Sequence, residues 1–234
     1  MRSMPKLLIS VRSSSEVLNA LEGGADIIDV KDPAKGSLGL PRISVVREVV
    51  RIVNGLKEVS VAIGDVRSNA AELGYVVTAL DSFVNYVKIG FALKSVEEAI
   101  AIGREVVENV RKSKIVFVSY ADYHKHSFID PITVIDVAIK AGAQGVMIDT
   151  FGKEGLSSFD ILPRHYLQEF VNKAKKNGFF TAIAGGLNKH HIKDAVTLGF
   201  DVIGFRSAVC VGGRNGSVSK QLVAELRNVL NALA

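Results

Sequence analysis

Tryptophan is absent from this sequence, and aromatic residues make up only 7% of it. The Lys and Arg residues are dispersed along the chain and form no basic run. Proteins that bind single-stranded nucleic acids usually combine a basic groove with aromatic side chains on which bases stack. A net charge of +5 is also compatible with an anionic small-molecule ligand. The scarcity of stacking residues favours the second interpretation, and we predict no nucleic-acid partner.

Cysteine and long apolar runs are also scarce. Cys210 is the only cysteine, so no internal disulfide can form, which is compatible with a reducing compartment. No motif surrounds it, and we interpret it as a small buried hydrophobic residue. No run approaches the roughly 18 apolar residues of a membrane span. The start, MRSMPKLLISV, is too short and mixed for a signal peptide. These features predict a cytoplasmic protein without membrane contact.

The sequence does contain a regular alternation of short, β-branched apolar runs with stretches of helical period. This alternation is typical of repeated βαβ units and a parallel sheet. Eight units fit into 234 residues, which predicts an α/β protein with one (β/α)8 TIM-type barrel domain over residues 1–234. An open, doubly wound sheet is the alternative, but no dinucleotide-binding glycine motif follows the first strand. The predicted strands are 7–11, 25–31, 59–64, 86–90, 115–120, 145–149, 179–185 and 201–206.

Helix boundary signals support this assignment independently of the strands. Ser13 with Glu16, and Ser95 with Glu98, have the spacing of a capping box. Asp130 followed by Pro131 is typical of an N-cap and a first helical residue. Glycines that can end helices follow at positions 55, 142, 178 and 199.

Ionisable residues lie unusually close to the predicted strand ends, where (β/α)8 enzymes carry their catalytic groups. Asp29 and Lys31 are two residues apart, so they point to the same side of their strand, while Ile28 and Val30 point to the other. Lys88 lies between two apolar residues, and a charge there is costly unless it is paired or used. Asp149 ends the sixth predicted strand, with Lys153 four residues later.

A site with several lysines is suited to imine chemistry. An amine attacks a carbonyl only when it is neutral, and a lysine with a pKa of about 10.4 is almost entirely charged at pH 7. Burial and a second nearby cation favour the neutral form. We therefore predict Lys31 as the nucleophile with Lys88 nearby, and aspartates that move protons. The alternative is a set of buried Asp–Lys ion pairs that only stabilise the barrel.

Glycines near the last two strands predict an anion site. Gly185 and Gly186 end the seventh strand, and Asn188 is placed to start a helix, so backbone donors can approach a phosphate. Arg206 and Ser207 lie at the end of the eighth strand, where we expect Arg206 to make a bidentate phosphate contact. Plain turns are the alternative interpretation. The loop from Asp32 to Pro41 is too polar and glycine-rich for a core, and either covers the substrate or only connects two elements.

The histidines do not indicate a metal. His124 with His126, and His190 with His191, lack the spacing of a zinc-binding helix, and we predict no metal and no cofactor. The sequence leaves open whether the chain forms a homo-oligomer.

Five segments together resemble the (5-formylfuran-3-yl)methyl phosphate synthases, over essentially the whole chain. They are DVKDPAKGSLG at 29–39, YVKIG at 86–90, YAD at 120–122, MIDT at 147–150 with Lys153, and GFRSAVC at 204–210. The resemblance implies a metal-free barrel enzyme of methanofuran-type cofactor biosynthesis. It would condense two molecules of glyceraldehyde 3-phosphate into a furan aldehyde phosphate, with loss of phosphate and water. It also implies that Lys31 forms the Schiff base and that Asp29, Lys88, Asp149 and Lys153 are the other catalytic groups.

Three other interpretations remain. A lysine-dependent aldolase acting on sugar phosphates would use the same imine and phosphate site. An orotidine-decarboxylase-like barrel needs the pattern Asp-x-Lys-x-x-Asp, which begins at Asp29 but has Ala34 at its final acidic position. A phosphate-binding or scaffolding barrel would use the same charges only for structure.

Overall fold

A closed barrel of eight parallel strands contains the core of the molecule, in the order β1 to β8. The computed structural model describes residues 4–67, 71–152 and 155–233. Each strand pairs with the next, and β8 closes on β1 with Leu8 opposite Gly204. The predicted barrel is confirmed. The strands are β1 Lys6–Val11, β2 Ile27–Val30, β3 Glu58–Val66, β4 Tyr86–Phe91, β5 Lys114–Tyr120, β6 Gly145–Asp149, β7 Phe180–Ile183 and β8 Val202–Phe205.

The strands alternate between an inner and an outer apolar layer, as expected for a barrel covered by helices. Ile28, Val30, Val87 and Ile89 belong to the outer cluster between strands and helices. A smaller second cluster contains residues of alternate parity, such as Leu8 and Met147, which also line the barrel cavities. Residues of the same parity as Asp29, Lys31 and Lys88 therefore face the interior.

Helices follow the strands along the chain. Asp130 accepts hydrogen bonds from the amides of Ile132 and Thr133 and begins the predicted helix at Pro131. Gly142 and Gly199 end helices in the left-handed region, with φ of 84° and 88°. The helices are α1 Val17–Glu22, α2 Ile43–Val53, α3 Ala71–Leu80, α4 Val96–Glu108, α5 Tyr123–His126, α6 Pro131–Ala141, α7 Ser158–Ile161, α8 Arg164–Lys176, α9 Ile192–Leu198 and α10 Lys220–Asn231.

The capping boxes predicted at Ser13 and Ser95 are wrong. Ser95 Oγ does accept the Glu98 amide, at 3.2 Å, but its hydroxyl bonds to Glu97. Ser13 makes no side-chain cap, and the Glu16 carboxylate instead accepts the Arg12 amide at 2.8 Å. Glu16 is buried, and its carboxylate forms an ion pair with Arg206.

A small antiparallel ribbon follows β8, made of β9 Cys210–Val211 and β10 Ser217–Val218. Its connecting turn contains a short 3₁₀ helix, Gly213–Asn215. Cys210 is buried, as predicted. No helix within the described ranges is long and apolar enough to cross a membrane.

Candidate active site

A cavity of about 230 Å³ opens at the carboxyl ends of the strands. Active sites of (β/α)8 enzymes lie at this end of the barrel because the strand-to-helix loops converge there. Seven predicted site residues of the described part of the chain line this cavity: Lys31, Lys88, Asp149, Gly185, Gly186, Arg206 and Ser207. Asp29 lies just beneath, in contact with Lys88. Lys153, also predicted as catalytic, falls outside the described residues.

Lys31 follows β2 directly, and it is buried and lines the cavity. Its Nζ lies 3.9 Å from Asp149 Oδ2, within ion-pair range but beyond the length of a hydrogen bond. The other carboxylate oxygen, Oδ1, accepts the Thr150 amide at 2.7 Å. Asp149 is therefore oriented by the backbone that follows β6, with one oxygen directed toward the lysine.

A second buried ion pair lies deeper in the barrel. Lys88 Nζ is 2.8 Å from Asp29 Oδ1, and the side chains are 3% and 0% exposed. The hydroxyl of Ser10, on the neighbouring strand β1, donates to Asp29 Oδ2 at 2.9 Å. Removing either ion would leave its partner charged in a low-dielectric interior, which is strongly unfavourable. The two ion pairs together place two amines and two carboxylates inside one barrel mouth.

One side of the mouth is filled by protein. The Tyr120 hydroxyl, at the end of β5, makes a short hydrogen bond to Asp65 of β3. Burial, with Asp65 beside it, raises the pKa of Tyr120 well above its usual value, so the hydroxyl stays protonated and donates. Leu38 is fully buried against this side. A methyl group on Gly90 would overlap the Tyr120 hydroxyl, which explains glycine there.

The loop after Lys31 is therefore docked, with a buried tip. Asp65 accepts the amides of Ser37 at 2.7 Å and Leu38 at 3.1 Å, and the Ser37 hydroxyl donates to Thr150 O at 2.7 Å. The expectation that this loop is too polar for a core is wrong for Ser37 and Leu38. Asp65 was not among the predicted site residues, because a bulge around Gly64 extends β3 beyond the predicted strand end.

The glycine pair after β7 has the conformation that the anion prediction requires. Gly185 and Gly186 have φ of 87° and 65°, in the region that favours glycine. A Cβ on Gly185 would lie 2.7 Å from the Thr150 amide nitrogen. Asn188 begins the next turn by accepting the His190 amide at 3.0 Å. Whether these glycines bind phosphate remains a prediction.

The predicted phosphate contact of Arg206 does not fit the structure. Nη1 and Nη2 form a bidentate pair with Glu16 at 2.6 and 3.0 Å. The remaining donors reach backbone carbonyls of Ser10, Arg214 and Gly216 at 2.8 to 3.0 Å. All five N–H groups of the guanidinium are thus used inside the protein. The sequence pointed to Arg206 but not to its partner. Glu16 lies 190 positions away, and its spacing from Ser13 indicated a local helix cap.

The loop after β6 is held by Asp122, which follows the neighbouring strand β5. Asp122 accepts the amides of Phe151 and Gly152, both at 2.7 Å. His126 Nε2 lies 3.4 Å from the same carboxylate, and its ring stacks on Phe128. Asp122 therefore fixes the backbone immediately before Lys153.

These observations define a class: a parallel (β/α)8 barrel with a buried lysine–aspartate centre at its carboxyl-terminal mouth. The model of the 4-HFC-P synthase family matches residues 7–227. The chain belongs to this family.

Curated relatives match nearly the whole length of the chain, and they share one name. The chain is 37% identical over 237 residues to the (5-formylfuran-3-yl)methyl phosphate synthase of Archaeoglobus fulgidus, covering 97% of this chain and 99% of the relative. Identity to the synthase of Methanothermobacter thermautotrophicus is 36%, with the same coverage. These relatives support an enzyme with synthase function.

Solved structures of other enzymes share the fold. Orotidine 5'-monophosphate decarboxylase from Methanocaldococcus jannaschii, complexed with the inhibitor BMP, superposes with a TM-score of 0.64 at 15% identity, covering 98% of this chain and all of that one. Phosphoribosyl anthranilate isomerase from Thermus thermophilus gives 0.63 at 14% identity, with the same coverage. At these identities the likeness concerns the barrel alone.

Proposed function

We propose that this chain is a lyase that condenses two molecules of glyceraldehyde 3-phosphate into (5-formylfuran-3-yl)methyl phosphate through a Schiff base on Lys31. Phosphate and water are lost during the reaction. The observation that carries the proposal is that Lys31 lines the same cavity as Asp149 and the Gly185–Gly186 turn, with its Nζ 3.9 Å from Asp149 Oδ2. The ligand would be a phosphorylated small molecule, and the chemistry needs no metal or cofactor.

The geometry supports a division of roles. Lys31 attacks the aldehyde of the first triose phosphate, and the imine makes the neighbouring C–H bond acidic. Asp149, at 3.9 Å, is the group placed to take up the proton from the Lys31 amine and to return it. The resulting enamine carbon forms the carbon–carbon bond to the second molecule, and ring closure with loss of one phosphate and two water molecules makes the ring aromatic.

Lys88 and Asp29 would act at the floor of the cavity. Burial in a closed barrel strengthens the field of this pair at the reacting atoms, since little water screens it. Lys88 supplies a positive charge for oxyanions that develop during aldol addition and elimination. Lys153 belongs to the same proposed set through the resemblance of its motif.

The test is reduction with borohydride in the presence of glyceraldehyde 3-phosphate, followed by peptide mass analysis. We expect the label on Lys31, and loss of furan formation in Lys31→Ala. Lys35→Ala is the matched control, because Lys35 lies in the same loop but is exposed and paired with Asp32 at 3.4 Å. A label on another lysine, or furan formation by Lys31→Ala, would refute the proposal.

Product analysis separates the aldolase alternative. A lysine-dependent aldolase gives a reversible sugar phosphate, whereas the synthase gives a furan with strong ultraviolet absorption. A labelled Lys31 combined with a sugar product would retain the imine and reject the furan synthase.

A further inference from the structure

Two arginines line the cavity, and the protein uses them very differently. Arg206 donates all five of its guanidinium N–H groups to acceptors within the protein. Arg214 uses one, since Nη2 donates to Gly36 O at 2.7 Å and no other acceptor is found among the described residues. A guanidinium carries five donors, so four of those on Arg214 remain available to a ligand.

The Arg214 side chain is held in place from two directions. Its own carbonyl accepts Arg206 Nε at 3.0 Å, and Gly216 O accepts Arg206 Nη2 at 2.8 Å. Arg206 therefore clamps the turn that carries Arg214. The contact with Gly36 ties the other end of the side chain to the loop that follows Lys31. Little conformational freedom is left to be lost when a ligand binds.

The electrostatic setting is also suited to an anion. The positive charge of Arg206 is balanced by the buried carboxylate of Glu16. Burial lowers the pKa of Arg214, with Asp149 acting in the opposite direction, but a guanidinium remains charged at neutral pH. A half-buried cation with unmatched donors has lost water contacts that a phosphate oxygen can replace.

We propose that Arg214 is the residue that binds the substrate phosphate monoester in this cavity, and that the Glu16–Arg206 pair only positions it. The choice of a triose phosphate as ligand rests on the proposed function. The planar fork of Arg214 meets two phosphate oxygens while Nη2 keeps its contact with Gly36. Phosphate binding then joins the loop after β8 to the loop after Lys31.

Glycerol 3-phosphate is the probe, because it carries the phosphate but has no carbonyl and cannot form an imine. Calorimetry should show that Arg214→Gln weakens its binding on the order of 10- to 100-fold, the effect of losing charge-assisted hydrogen bonds. The affinity of Arg214→Lys should lie between those of the wild type and Arg214→Gln, since lysine keeps the charge but not the planar fork of donors. Arg42→Gln makes the same change in net charge at an exposed residue outside the cavity and should bind like the wild type.

Three results would overturn the assignment. One is a wild-type protein that does not bind glycerol 3-phosphate at millimolar concentration. Another is an Arg214→Gln variant with unchanged affinity and a lower kcat, which would make Arg214 only a brace for Gly36. The third is equal weakening by Arg42→Gln. The thermal midpoint of each variant verifies that it is folded.

The borohydride experiment keeps the two proposals separate. If Arg214 governs glycerol 3-phosphate binding but no adduct forms on Lys31, the phosphate assignment stands and the synthase mechanism fails. If the adduct forms and Arg214→Gln binds the probe normally, the mechanism stands and the phosphate assignment fails.

Discussion

Replacing Glu16 by Gln should destabilise the protein far more than an ordinary loss of an ion pair. Glu16 is 2% exposed and Arg206 is 6% exposed. The substitution keeps the shape but removes the charge that balances the guanidinium. It also weakens three hydrogen bonds, two from Arg206 and one from the Arg12 amide. Breaking a buried pair from one side costs about 3–5 kcal/mol in the free energy of unfolding.

Glu22→Gln is the matched control. Glu22 forms a pair of similar length with Lys220, at 2.8 Å, but both side chains are more than half exposed. Such surface pairs contribute about 0–1 kcal/mol. Urea unfolding at neutral pH, followed by circular dichroism, measures both variants against the wild type. Equal losses of stability in the two variants would show that burial does not govern the Glu16–Arg206 pair.

Two further predictions concern the docked loop and the pH dependence of stability. Tyr120→Phe removes the hydroxyl that donates to Asp65 and should lower the free energy of unfolding by about 1–3 kcal/mol. It should also speed hydrogen exchange at the Ser37 and Leu38 amides. Unchanged exchange would contradict a role for Tyr120 in holding this loop. Asp26 differs: burial alone would raise its pKa, but the Leu7 amide and Arg227 outweigh this and lower it below the ordinary 3.8. Its carboxylate therefore stabilises the fold above about pH 4, and that stability is lost as the pH falls through the lowered pKa. Unfolding measured over a pH series should show Asp26→Asn less stable than the wild type near neutrality, with the difference shrinking in acid; a constant difference would refute this linkage.

Strand period and strand ends account for what could be predicted from the sequence. A period of two places Asp29 and Lys31 on one side, and Lys88 obeys the same rule on β4. Their convergence follows from the parallel barrel, because all strand ends meet at one rim. No distances were needed for these predictions.

The parts that were missed depend on contacts between distant segments. Glu16 fits a local cap in the sequence, but its charge is used by Arg206 at the opposite end of the chain. Leu38 is fully buried, but the polar and glycine residues around it in the sequence predict an exposed loop. Arg214 lies in the glycine-rich segment GGRNG at 212–216, a signal of a loop able to approach a ligand, but the pattern alone does not show which arginine retains its donors.

The contact between Tyr120 and Asp65 also bears on the stereochemistry of the proposed reaction. Among the described residues, the cavity lining includes none from β3 or β5, so the chamber is off-centre in the barrel. A carbonyl compound joined to Lys31 would lie in this off-centre cavity, with one face toward the filled side of the barrel and the other toward the open half. We expect a second reactant to add to the open face alone. Handedness in any chiral intermediate would then be imposed by a tyrosine that takes no part in bond making.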